Sequence, residues 1–303
     1  MTQKLYLHIG AHKTASSFIQ TLLRENDQAL LRHGLKVVPR PRLMKSDFYK
    51  ELSSVNRRKR EGDVEKARKE IYTLLPVKKG RDCLFTSEDL FSSLRVSDFY
   101  QNIKESLRFL KSLLDDQELH VILYIRRQAD YVESKYTQFI HIGRSVSFDE
   151  FLEGNIPRHL SWEAVANDIA EVVGESNVHV KPYESIKKRG GEGFFKEFLE
   201  LVGINEYTGI KFSPSVETGK GANRSYSAVA MEIAKKVNPI LTEEDQKVFR
   251  SFLQENFSTA THKRAEFFSE KEKKEIFDYY SECNRRVFEK YVEGYDGEEL
   301  GYY

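Results

Sequence analysis

The sequence predicts an α/β protein in which helices cover both faces of a mostly parallel central sheet. Three observations carry that prediction. The runs "KLYLHIG" (4–10), "CLFTSE" (83–88) and "LHVILYIR" (119–126) are apolar at consecutive positions, as in strands buried on both faces. Helical patterns, with apolar residues three and four apart, lie between them. Strand and helix therefore alternate, which suits a parallel sheet with crossover helices.

The first strand, 4–10, opens onto a short loop, and "SFIQTLLRENDQALLRHG" follows as a helix closing on Gly34. Residues 45–80 are densely charged around "NRRKREGDVEKARKE"; the interleaved signs describe a solvated helix and not a nucleic-acid patch. After the strand at 83–88, a helix is predicted over 96–114, then the strand at 119–126 and a helix over 161–174 that ends on Gly174. A shorter fourth strand, "NVHVKPYE" (177–184), ends on Pro182. Beyond residue 210 the chain is polar and helical, and the acidic tail "EGYDGEELGYY" is expected to fray. With no internal repeat and no clear linker, one domain over 1–303 is expected, with a core at 4–230, a helical part at 225–292 and the tail at 293–303.

Lys and Arg total 48 against 47 Asp and Glu, so no global field recruits nucleic acid or an anionic membrane, and any anion must be bound locally. The two cysteines, Cys83 and Cys283, lie far apart; they suggest neither a disulfide framework nor a metal site. No signal-peptide pattern opens the chain, and no run approaches the ~20 apolar residues of a membrane span. A cytoplasmic protein without a transmembrane segment is expected.

Chemistry concentrates in the first loop, "HIGAHKTASSFIQ" (8–20). A strand, a tight basic turn and a helix start together direct backbone N–H groups and a helix N-terminus at a phosphate. Lys13 adds a point charge, and Ser16 and Ser17 can cap the helix or donate hydroxyl hydrogen bonds to an oxyanion. The G-x-x-x-x-G-K-[ST] pattern of nucleotide triphosphatases is absent.

This loop resembles the 5′-phosphosulfate loop of sulfotransferases that use PAPS (3′-phosphoadenosine 5′-phosphosulfate), nearest a bacterial branch reading roughly H-I-G-x-x-K-T-G-T-T-x-x-Q. His8, Ile9, Gly10, Lys13, Thr14 and Gln20 match it, and Ala15-Ser16-Ser17 stands at the Gly-Thr-Thr step. A positive φ at Ala15 would cost about 1 kcal/mol. The resemblance implies a three-layer P-loop-like fold, PAPS as cofactor with PAP as product, and no metal. It makes Gly10, Lys13, Thr14, Ala15, Ser16 and Ser17 cofactor-binding candidates.

Two later segments extend the resemblance. "YIRRQADYVESKY" places Arg126 at a strand end and Ser134 eight residues on, the pair that would hold the 3′-phosphate. "VGESNVHVKPYESI" resembles the strand ending in Tyr-Glu, which makes Tyr183 a base-contacting candidate. Lys220 and Arg224, in the basic segment "VETGKGANRSYS", would close the phosphate site.

Sulfuryl transfer needs stabilisation of the leaving phosphate oxygen, which Lys13 offers, and a base for the acceptor's proton. Glu88, which closes the strand in "CLFTSEDLF", is the candidate base; His12 and His141 compete with it. The expected function is sulfuryl transfer from PAPS to a hydroxyl or amine on a small molecule or glycan, with a carbohydrate or glycolipid implied by the family. The alternatives are a nucleotide kinase-like phosphotransferase and a non-catalytic nucleotide-binding or scaffold protein. Oligomeric state is not encoded in any motif of the chain.

Overall fold

The computed structural model describes residues 2–58, 60–76, 80–154, 156–215 and 225–303. Five parallel strands form its sheet: β1 (Lys4–His8), β2 (Leu35–Pro39), β3 (Asp82–Thr86), β4 (Glu118–Ile125) and β5 (Val178–Pro182), in the order β2-β3-β1-β4-β5. The two central strands are apolar throughout because each alternates between two cores. On β1, Leu5 and Leu7 face one core and Tyr6 the other; on β4, Val121 and Leu123 face one, and Ile122 and Tyr124 the other.

Helices α1 (Ser16–Glu25) and α2 (Asp27–Arg32) cover the second face, together with a later helix, α10 (Ser185–Leu201). Ile19, Leu22, Phe194 and Phe198 fill the space between these helices and the sheet. The opposite face is covered by α4 (Asp47–Arg58), α5 (Val64–Leu74), α6 (Ile103–Leu113), α7 (Gln128–His141) and α9 (Trp162–Val173), which supply Leu52, Ile71, Leu107, Tyr131 and Trp162 to the larger core. The short helices α3 (Arg40–Lys45) and α8 (Phe148–Phe151) connect these elements. Three further helices, α11 (Ala228–Val237), α12 (Glu243–Asn256) and α13 (Glu270–Tyr291), follow, and α11 and α13 pack on α7.

Four departures from the sequence expectation stand out. Strand β2 was not anticipated: Lys36 interrupts its apolar run, and as an edge strand it pairs only with β3. The helix expected over 17–34 breaks at Asn26, whose side chain bonds the Leu22 carbonyl at 2.8 Å and both main-chain groups of distant Lys211. In the region 96–114, a 3₁₀ turn at Val96–Asp98 precedes a helix that begins only at Ile103. The tail is not frayed: Leu300 and Tyr302 are buried, and two backbone hydrogen bonds, Leu300 N–H to Asp296 and Tyr302 N–H to Gly297, fold it into a turn.

Because all strands are parallel, the loops after β1, β3, β4 and β5 emerge at one edge of the sheet. Strand β1 lies between β3 and β4, so the chain order reverses beside it. That crevice is where open α/β sheets bind ligands.

Candidate active site

The loop after β1 is anchored by the sheet. Ile9 and Ala11 donate their N–H groups to the Ile122 and Tyr124 carbonyls of β4, both at 3.1 Å. His8 lies under the loop between the Tyr124 and Phe198 rings, with Nδ1 2.9 Å from the Thr86 hydroxyl, and burial pushes its pKa down to about 3. Gly10 makes room for that ring: a Cβ there would stand 2.9 Å from His8 Nε2. Thr14 turns its hydroxyl inward to the Ala11 carbonyl at 2.6 Å. Gly10 and Thr14 therefore shape the loop from below and do not line the cavity above it.

Above them the backbone is strained. Lys13 has φ 68° and Ala15 φ 62°, left-handed conformations for two non-glycine residues in three. Ala15 thus adopts the conformation that a glycine would take without strain. The strain positions the cap of α1, where Ala15 accepts from Phe18 and Ile19 N–H at 3.0 and 3.1 Å.

Lys13, Ala15, Ser16 and Ser17 border a cavity of about 630 Å³. Arg126, Ser134 and Tyr183 line it too, as do His12, Glu88 and His141. Residues from four separate strand ends, 170 positions apart along the chain from Lys13 to Tyr183, thus meet in one crevice. Lys220 and Arg224 lie outside the described residues.

Arg126, 8% exposed, sends Nη1 to the Lys13 carbonyl at 2.7 Å, and its guanidinium lies 4.9 Å from the Tyr183 ring centroid. Its Nε is buried with no protein acceptor among the described residues. A buried guanidinium N–H without an acceptor is an invitation to an anion. Ser134, on the second turn of α7, faces the same space.

Lys13 Nζ reaches the Gln138 side-chain oxygen at 3.3 Å. Burial first, and the Arg126 charge second, lower its pKa to about 8, while Glu88 raises it. Lys13 is therefore a cation at pH 7, held close to a carboxylate. Glu88 accepts from the Gln20 side chain at 2.8 Å through Oε2. Asp89 is held instead by Arg40, Nε and Nη2 both 2.5 Å from Oδ2.

His12 is buried, its Nε2 3.4 Å from the Ser92 carbonyl and 3.7 Å from Asp89. Burial first, then the buried Lys135, push its pKa down to about 4, against the pull of Asp89. His141 meets the Tyr226 ring at 4.8 Å, and burial, Arg250 and Lys13 lower its pKa to about 4. Both histidines are neutral at pH 7.

Arg40, Gln138 and Arg264 are among the lining residues that escaped the sequence reading. Arg40 follows the unanticipated β2, and Arg264 comes from the connection between α12 and α13, so no local pattern marked either. Gln138 was within reach of the argument, since it sits four residues after Ser134 on one helix face. Among the described residues no group of three His, Cys, Asp or Glu side chains could hold a metal ion, and no helix is long and apolar enough to cross a membrane.

No protein-family model matches the chain, and no curated protein matches it in sequence. Among solved structures it is similar to a sulfotransferase from Alicyclobacillus acidocaldarius, with 14% identity and a TM-score of 0.45 over 86% of this chain and 99% of that one. It is also similar to a mouse sulfotransferase complexed with PAP, with 14% identity and a TM-score of 0.41 over 93% of this chain and 85% of that one. A retinol dehydratase in complex with androsterone and inactive cofactor PAP has 11% identity and a TM-score of 0.41 over 97% of this chain and 83% of that one.

Proposed function

We propose that this protein is a PAPS-dependent sulfotransferase that moves a sulfuryl group to a hydroxyl or amine acceptor. The observation that carries the reading is the convergence of the Lys13 loop with Arg126, Ser134, Tyr183 and Glu88 on one cavity. The residues fit the cofactor at both ends. The loop backbone, Lys13, Ser16 and Ser17 offer positive charge and donors to the phosphosulfate. Arg126, with an Nε lacking a partner among the described residues, and Ser134 suit the 3′-phosphate, and Tyr183 suits the adenine face.

When bound, PAPS supplies an activated sulfuryl group joined to a phosphate leaving oxygen. The chain's own part is electrostatic and protonic. Lys13, cationic below about pH 8, neutralises charge that grows on the leaving oxygen. Glu88, oriented by Gln20, takes the acceptor's proton as the new bond to sulfur forms. His12 is buried with its Nε2 turned to the Ser92 carbonyl and Asp89, and burial pushes its pKa down to about 4, so Glu88 is the base in this reading. Arg40, Gln138 and Thr259 give the remaining wall a polar character that suits a polyhydroxylated acceptor such as a carbohydrate or glycolipid headgroup. The widely spaced cysteines suit action in a reducing, cytoplasmic setting.

A thermal-shift series with PAP, ADP, ATP and GTP tests this. PAP should stabilise most, by about 2.7 kcal/mol at one hundred times its dissociation constant, because only PAP carries the 3′-phosphate. Equal shifts with PAP and ADP would remove the 3′-phosphate assignment, and a response to ATP or GTP alone would point to a phosphotransferase.

A further inference from the structure

After α13, the segment 294–303 turns back on itself. Asp296 caps that turn by accepting from the Glu298 N–H at 2.8 Å, and Tyr302 N–H donates to the Gly297 carbonyl at 2.8 Å. Tyr302 is 1% exposed. Its ring lies 4.9 Å from that of Phe288, and its carbonyl accepts from Asn284 Nδ2 at 3.0 Å.

The phenol is what connects this turn to the site. It donates to Glu184 Oε2 at 2.5 Å, and Glu184 is itself only 6% exposed. The other oxygen, Oε1, accepts from the Arg127 N–H at 3.3 Å and lies 3.7 Å from the Arg127 Nε. Gly301, at φ 74°, lets the turn approach: a Cβ there would sit 3.1 Å from Arg127 Nη1. Burial and the Glu184 carboxylate push the Tyr302 pKa well above that of an ordinary phenol, so it remains a donor.

Arg127 and Glu184 are the chain neighbours of Arg126 and Tyr183, which form the nucleotide end of the cavity. We infer that Tyr302 is a positioning residue for that end: its phenol fixes Glu184, Glu184 fixes Arg127, and the two strand ends thereby hold Arg126 and Tyr183 in their stacked arrangement. The inference rests on the sulfotransferase reading and goes beyond it, since it makes the segment 294–303 part of the cofactor site. Without the phenol a buried carboxylate loses a charge-assisted donor and will turn toward water, taking the β5 end with it.

The test is the affinity of the full chain for PAP, by calorimetry, in Tyr302→Phe, Glu184→Gln and the double variant. Tyr302→Phe keeps the ring packing and removes only the O–H. Its dissociation constant for PAP should rise about tenfold, equivalent to ~1.4 kcal/mol, while kcat at saturating PAP stays near native. In the double variant the two effects should be clearly less than additive, because one arrangement is lost twice. A merely structural tyrosine would lower the melting temperature and leave PAP affinity alone, so native affinity in Tyr302→Phe overturns the inference whatever the melting temperature. Should Tyr302→Phe not fold, an unchanged PAP affinity in Glu184→Gln overturns it equally. A native chain with no affinity for PAP overturns the sulfotransferase reading and this inference together.

Discussion

Replacing Ala15 with glycine should stabilise the protein, the reverse of what the same change does inside a helix. Ala15 holds φ 62°, ψ 19° as the residue before α1 and makes no side-chain cap. A left-handed L-residue costs about 1–2 kcal/mol, which glycine does not incur. Against this, glycine has more freedom in the unfolded chain, worth roughly 0.5–1 kcal/mol. The Ala15 methyl is only half-buried, so losing it removes a fraction of the ~0.8 kcal/mol of a fully buried carbon. The net expectation is a gain of about 0.5 kcal/mol, or ~1–2 °C in melting temperature for a chain of this size. Ala164, exposed within α9, is the control: Ala164→Gly should lose about 0.5–1 kcal/mol. Urea unfolding of the three proteins, with slopes checked for equality, measures both. If Ala15→Gly loses stability as Ala164→Gly does, the loop does not hold Ala15 left-handed, and the anion-cradle geometry argued from it fails.

Lys13→Ala should lower kcat more than PAP affinity, since charge on the leaving oxygen grows only in the transition state; a normal kcat with weakened binding would reduce Lys13 to an anchor. In the native protein kcat/KM should decline above about pH 8 as Lys13 loses its proton, and Lys13→Arg should abolish that decline while lowering the plateau. Glu88→Gln should bind PAP normally and lose about 10²–10⁴ in transfer rate, whereas Asp89→Asn, whose oxygen serves Arg40, should lose little; near-native transfer in Glu88→Gln would move the base to a histidine. Stability should fall as pH drops from about 6.5 toward 4, because burial pushes His8 down to about 3 and His12, His141 and His179 down to about 4. The unfolded chain protonates these groups near pH 6.5 and the folded chain does not, so each steepens the loss of stability as pH falls through that window; urea midpoints that stay level from pH 7 to 5 would contradict it.

The parts legible in the sequence are those whose cause is local. β1, β3 and β4 announced themselves because burial on both faces demands unbroken apolar runs, and Arg126 and Ser134 did so because a strand end and a helix turn fix their separation. The first loop was legible as strand, turn and helix start because those signals lie within a few consecutive residues. The parts that escaped depend on partners far along the chain. β2 tolerates Lys36 because the ammonium runs to the Leu75 carbonyl at 3.0 Å, and the break at Asn26 is set by Lys211. The tail's four acids and three glycines suggest a frayed end, yet Leu300 and Tyr302 are buried, the Tyr302 and Tyr303 rings meet Phe288, and Tyr302 bonds Asn284 and Glu184. Composition reports the average of a segment, whereas docking is decided by a few side chains and their particular partners.

Arg126 shows how closely the two ends of the site are joined. Its Nη1 pins the carbonyl of left-handed Lys13 at 2.7 Å, its face stacks on Tyr183, and its own carbonyl accepts from the Trp162 indole at 2.8 Å. One side chain therefore ties the first loop to the Tyr183 wall of the cavity, the two ends that the proposed reading assigns to the phosphosulfate and the nucleotide. A lysine could supply the charge but neither the fork nor the stacking plane, so Arg126→Lys would loosen both ends at once. The same guanidinium lowers the Lys13 pKa, second only to burial. An anion entering between the two cations offsets that repulsion and draws the Lys13 pKa back up. In the proposed reaction Lys13 would gain charge as the site fills, when a leaving oxygen would need it, from a loop whose left-handed Lys13 and Ala15 are already set.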